Sequence, residues 1–190
     1  GQKDVAFLQY TRALHLNPSD DQVREQTERL AEETGSFEEL AAVYEEVADE
    51  LPRGPLAERM YLTLARVQDQ KLDDPEAAEA ALRKVLAFDP TNEAALERLS
   101  SMFARRGSHK EYVVSLEQKL EAAPSIEARK EILREIARAY DENLGSPEDA
   151  ENALARALEL EPDQQTLDVL VALQRRQGNH AAVASSLLRM

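Results

Sequence analysis

Apolar side chains recur along this chain at intervals of three and four residues, the spacing of one helix face rather than the alternation of a strand. In 94–106 the apolar or small positions are Leu96, Leu99, Ser100, Met102 and Phe103. After Gly107 a second stripe runs through Tyr112, Val113, Leu116 and Leu120 to Pro124. In 37–51 the stripe is Leu40, Val43, Tyr44, Val47 and Leu51. Sustained period-two alternation and Asn-Gly or Asp-Gly turns are absent from the sequence. The pattern predicts an all-α chain of about eleven helices, the first over 4–16 and the last within 179–189. Ser36 with Glu39, and Ser108 with Glu111, predict capping boxes, in which each side chain would satisfy the other residue's free backbone donor. Asp74-Pro75 and Ser146-Pro147 place a cap residue before a proline at the first helical position.

The helices fall into repeats. Pro18, Pro52, Pro90, Pro124 and Pro162 are separated by 34, 38, 34 and 38 residues, so the double unit is 72 residues long. A period in this range signals a solenoid of stacked helical hairpins. Sliding the sequence by 72 lays Lys71–Pro90 on Asn143–Pro162 without a gap, with nine of 20 positions identical. Gly35-Ser36-Phe37 falls on Gly107-Ser108-His109, and Gly178-Asn179-His180 follows one residue short of register. The repeat units predicted within 1–190 are 1–18 (second helix only), 19–52, 53–90, 91–124, 125–162 and 163–190 (truncated). Both ends break inside a unit, which predicts a fragment of a longer repeat protein.

These features resemble the tetratricopeptide repeat, in a bacterial-type form with alternating 34- and 38-residue units. The match lies in small and large residues at the family's positions: Ala6, Tyr10, Ala13 and Pro18; Ala78, Leu82, Val85 and Pro90; Ala150, Leu154, Ala157 and Pro162 in second helices. First helices contribute Leu64 and Ala65; Leu99, Ser100 and Phe103; Ile136, Ala137 and Tyr140. The family's Trp is replaced by Arg24, Tyr61, Leu96, Leu133 and Asp168, and Glu28 stands where a small residue is usual. The resemblance implies an α-α superhelix, a right-handed solenoid of antiparallel helix pairs. It implies a protein–protein interaction scaffold that binds a peptide or partner domain in a concave groove lined by first helices. One groove position then reads Arg29, Arg66, Ser101 and Arg138, with Arg105 and Arg134 nearby. These arginines either neutralise Glu25, Glu32, Asp69, Glu97, Glu131 and Asp141 as ion pairs, or form a ladder that reads ligand carboxylates, where Arg geometry is favourable. Gln22, Glu25, Gln26 and Arg29 do not match the family's Lys/Asn set for chaperone tails. Alternatives to the scaffold are a self-associating structural module and the targeting region of an enzyme.

Charge sharpens this picture. The chain has 37 acidic and 23 basic residues, a net −14. Twelve acidic and two basic residues lie in 19–52, so most of the excess belongs to one unit. Glu38, Glu39, Glu45, Glu46, Asp49 and Glu50 fall away from that unit's apolar stripe. They form either a solvated face or a docking face for a basic partner. The excess of acid argues against nucleic-acid or anionic-lipid binding.

Chemistry is otherwise sparse. The chain has no Cys, which removes thiolate catalysis and Cys-ligated zinc. His109 and His180 occupy the slot of Phe37, as rings over a helix start, and His15 suits the end of the first helix. The sequence contains no nucleotide-binding, metalloprotease, hydrolase-elbow or EF-hand motif. We therefore expect a non-enzyme with no metal, no cofactor and no direct membrane insertion. Partners are a protein or peptide, with self-association through repeat ends as a further option. Location is open, with a soluble cytoplasmic setting favoured.

Overall fold

The computed structural model describes residues 1–188, and the described residues form helices and turns without a strand. The helices are α1 (Gln2–Leu16), α2 (Asp21–Thr34), α3 (Phe37–Glu50), α4 (Pro55–Gln70), α5 (Pro75–Phe88) and α6 (Glu93–Arg106). They continue with α7 (His109–Ala122), α8 (Ile126–Arg138), α9 (Pro147–Leu160), α10 (Gln164–Arg176) and α11 (His180–Leu187), with a π-helical turn at Ala139–Leu144 after α8. The eleven α-helices match the expected number. The first starts two residues earlier than the apolar stripe indicated.

Contacts gather into two compact units, Gly1–Arg98 and a second from Leu99 onward. In the first, α1 pairs with α2, α3 with α4, and α4 with α5. Ala57, Ala65, Ala78 and Ala81 are buried between these helices, so backbones approach closely while Tyr44, Met60, Leu64 and Leu82 fill the remaining space. In the second unit α8 packs on α9, and α9 on α10. Leu133, Ile136, Ala150, Leu154 and Ala157 form its centre, joined by Val113 and Leu116 of α7 and Leu170 and Leu173 of α10. Each large aliphatic side chain buried this way contributes about 1.5–3 kcal/mol.

Three hairpin turns share one geometry. Gly35, Gly107 and Gly178 sit at φ 76°, 68° and 71°. The following amide donates back to Ala31, Phe103 and Gln174 respectively. The two longer units close one residue wider: Asp74 N donates to Gln68 O and Ser146 N to Tyr140 O, both at 2.9 Å. The left-handed position there is Gly145 in one unit and Asp73, at φ 51°, in the other.

The predicted capping boxes do not form. Ser36 and Ser108 occupy the N-cap positions, but neither side chain makes a capping bond. Phe37 N donates to Gly35 O at 3.0 Å, and Ser36 has φ −83° and ψ 53°. In this inverse γ-turn the short hydroxyl makes no bond to the helix amides, and Ser36 Oγ instead accepts from Thr34 Oγ1 at 3.0 Å. At similar dihedrals the longer Asn179 does reach Ala182 N. The same contrast separates Asp74, which caps Ala77 N, from Ser146, which makes no cap bond. Ser125 caps Ala128 N because its backbone is extended.

Asp168 likewise does not fill the expected core position. It is exposed while Leu167 is buried, because this last unit runs one residue short of register. Of the ring positions, Phe37 stacks under Lys71 Nζ at 5.1 Å, His109 is half-buried and His180 is exposed.

Candidate functional site

The first helix of each hairpin carries the residues of interest. In the first unit Arg29 is exposed on α2 and faces Glu33 at 3.8 Å, one turn along the same helix. Arg66 on α4 is half-buried and bonded to Glu28 of α2. The other Glu28 oxygen accepts the Tyr44 hydroxyl at 3.0 Å. Burial pushes the Tyr44 phenol far above its ordinary pKa, and the Glu28 carboxylate adds to the rise. Glu28 therefore joins three helices, α2, α3 and α4. Lys71 closes the same side on Glu32 at 2.6 Å.

In the second unit Ser101 and Arg105 lie on α6 and both hold interactions. Arg134 is nearly buried, donates to Thr166 Oγ1 at 3.1 Å and lies 3.8 Å from Asp163. Lys130, one turn earlier on α8, is also buried and meets Asp163 at 3.1 Å. Burial by itself would raise the Asp163 carboxyl, but bonds from Thr166 and Lys130 outweigh it and hold the pKa below the usual carboxylate range. Arg138 is exposed, and among the described residues no partner is bonded to it.

A cavity of about 420 Å³ opens over this part of α8, the π-helical turn and α10. Ala137, Leu154, Val169 and Leu173 give it apolar walls, and Arg138 and Arg176 stand among its charged ones. The π-turn widens the backbone at the cavity wall, and π-turns often accompany functional sites. Arg176 is held by Asp141 at 2.5 Å. Val169 is 44% exposed, an apolar side chain open to solvent beside a charged one.

The acidic residues of α3 are all exposed but not equivalent. Lys84 of α5 reaches Asp49 at 2.8 Å and Glu45 at 3.6 Å. The Lys84 bond, and then one from the Tyr61 hydroxyl, hold the Asp49 carboxyl below its ordinary range. Glu46 lies 3.2 Å from His15 Nε2. Glu38, Glu39 and Glu50 have no bonded partner among the described residues. Glu38 and Glu39 lie in the first turn of α3, where negative charge suits the helix dipole.

Sequence reasoning missed the buried cations Arg24 and Lys130 and the role of Asp163. Charge alone gives no sign of burial. The 72-residue register did carry one usable signal: Glu28 falls opposite Ser100, just as Arg66 falls opposite Arg138. Among the described residues no group of three or more His, Asp or Glu is placed to hold a metal ion. None of the described helices is long and apolar enough to cross a membrane.

Residues 58–92 and 131–164 match the family model of the tetratricopeptide repeat, and they overlap most of the expected long units 53–90 and 125–162. No curated protein matches the chain. Among solved structures it is similar to BtubC (BKLC) from P. vanneervenii, at 15% identity over 99% of this chain and 86% of that one, with a TM-score of 0.50. MamA from Desulfovibrio magneticus RS-1 is 19% identical over 100% and 93%, with a TM-score of 0.47. YrrB, described as a TPR protein with an unusual peptide-binding site, is 17% identical over 87% and 81%, with a TM-score of 0.49. At these identities the first likeness concerns the fold.

Proposed function

We propose that this chain, part of which matches the tetratricopeptide repeat, binds another protein and carries out no catalysis of its own. The face shared by α8 and α10 is the binding surface in this reading. The observation that supports it is the cavity beside Arg138, where an unbonded guanidinium and the exposed Val169 lie against apolar walls. A helical scaffold pre-forms such a surface, so that ordering is confined to the ligand. Ser101, Arg105 and Arg134 extend the candidate surface within the same unit, and Arg29 and Arg66 are the corresponding first-helix positions of the other unit, taken by itself. A peptide-binding role fits the description of YrrB, one of the similar structures.

The test is capture of the native partner from source-cell extract by the full-length protein. Val169→Asp together with Arg138→Glu should abolish capture while the helical circular dichroism stays unchanged. Arg83→Glu, on the exposed side of α5, should leave capture intact. Capture that survives the first pair of changes removes this face from the function.

A second reading is self-association, favoured by the apolar side chains Val5, Leu8 and Leu16 of α1, which are 61%, 50% and 88% exposed. Light scattering over a wide concentration range tests it. A constant monomer mass would eliminate it.

A further inference from the structure

Arg66 and Arg138 occupy the same position of two repeats 72 residues apart, yet their surroundings differ. Arg66 is bonded to Glu28, a carboxylate supplied 38 residues earlier by the preceding first helix. The residue 38 before Arg138 is Ser100, too short and uncharged to take that role. Arg138 is thus a guanidinium whose internal carboxylate has been removed by sequence, and no other described residue replaces it.

The other charged walls of the cavity are mostly engaged. Arg134 is held by Thr166 and Asp163, and Arg176 by Asp141. Glu135 accepts the Tyr112 hydroxyl. What remains is Arg138 with Glu131 and Glu142, which are exposed and have no bonded partner among the described residues. The open charges are therefore one cation and two anions, set beside Val169 and Leu173.

We propose that Arg138 receives the carboxylate of an acidic side chain from a protein partner, in the way Glu28 fills Arg66 internally. The partner segment has a basic residue next to the acidic one, to answer Glu131 and Glu142, and an apolar residue against Val169 and Leu173. The first unit's equivalent position is closed to such a ligand by its own Glu28. This inference rests on the proposed binding face and specifies the chemistry that the face selects. A guanidinium–carboxylate contact is charge-assisted and about twice as strong as a neutral hydrogen bond, and Arg offers it in a fixed fork.

The probe is an acetylated, amidated hexapeptide with one glutamate beside one lysine, flanked by leucines. Its counterpart carries glutamine for glutamate. Binding is followed by the arginine Nε–Hε NMR signals of the whole chain. With the glutamate peptide the Arg138 signal should shift saturably while the Arg66 signal stays still. Arg138→Ala, or the glutamine peptide, should weaken binding by about fivefold or more. Glu28→Ser, which copies Ser100, should make the Arg66 signal respond as well.

Equal binding of the two peptides, with loss on Val169→Asp, would overturn the acidic specificity and leave the binding face standing. An Arg66 response in the unsubstituted chain equal to that of Arg138 would overturn the blocking role of Glu28. Absence of any saturable shift would overturn the proposal. The binding face itself would then stand or fall on capture of the native partner.

Discussion

Arg24 Nη1 donates to the carbonyl oxygen of Pro18 at 2.7 Å, joining the first turn of α2 to the proline that ends the preceding unit. The side chain is only 8% exposed, and its other arm meets Asp21. Here a buried cation occupies the position where the tetratricopeptide family uses Trp. It binds the repeat boundary through a hydrogen bond, where a Trp would act by filling volume.

Arg24→Met should therefore destabilise the chain by about 1.5–3 kcal/mol, the range for hydrogen bonds made by charged groups. Urea unfolding, read by circular dichroism, measures the change. Arg24→Lys should recover only part of the loss, because Lys lacks the planar fork that serves Pro18 and Asp21 together. A neutral result for Arg24→Met would show that the methylene stem, and not the guanidinium, supports this turn.

Asp73 and Gly145 occupy equivalent left-handed turns at φ 51° and 60°. Left-handed backbone disfavours side chains, and Asp tolerates it better than most. Asp73→Gly should raise stability by about 0.5 kcal/mol, and Gly145→Ala should lower it by about 1 kcal/mol. A Cβ built on Gly145 has nothing within 4 Å, so the cost there is conformational and not a clash. Thermal melts of the two variants should move in opposite directions.

Gln68 is buried, and its Oε1 is the one buried side-chain oxygen or nitrogen without a hydrogen-bond partner among the described residues. Burying such an atom costs on the order of 1–3 kcal/mol. Gln68→Met keeps the length of the side chain and removes the polar group. It should stabilise the protein by about 1 kcal/mol in denaturant titration. Destabilisation would mean that the Gln68 amide is satisfied in solution.

Asp163 caps α10 through Thr166 N at 2.8 Å and Thr166 Oγ1 at 2.7 Å, and also meets Lys130. Its folded pKa lies below that of an unfolded aspartate, about 3.9. The stabilisation from its charge is thus complete above the unfolded value and fades as the pH falls through the folded one. Asp163→Asn should melt lower than the unsubstituted chain by a constant margin above about pH 5, and the margin should shrink below about pH 4. A margin that does not change with pH would assign the effect to cap geometry and not to charge.

The hairpin order was legible because proline spacing and apolar stripes are local properties of the chain. Ala78 with Ala150, and Leu82 with Leu154, occupy the same places in both long units and are buried in both. The caps were less legible. Ser36 read as a cap and makes no cap bond, while Asn179 at nearly the same backbone dihedrals does, so in this turn the reach of the side chain decides. The one-residue shift that buries Leu167 and exposes Asp168 was foreshadowed by Gly178 falling short of register.

For the candidate site, the sequence placed Arg29, Arg66, Ser101 and Arg138 in one register but could not separate them by occupancy. Pairing depends on which carboxylate a neighbouring helix brings within reach, and that is a property of packing. Glu28 reaches Arg66 across 38 residues, and the acidic Lys84 partners Glu45 and Asp49 come from another helix.

By itself, then, the sequence determined that the chain is a run of helical hairpins, where each hairpin turns, and where its acid is concentrated. Those follow from periodicity, glycine and proline, which act over a few residues. Tertiary structure decided which charges neutralise each other, which cations are buried and which guanidinium is left open. Coulomb and hydrogen-bond energies depend on distances between residues far apart in the chain, and only folding sets those distances.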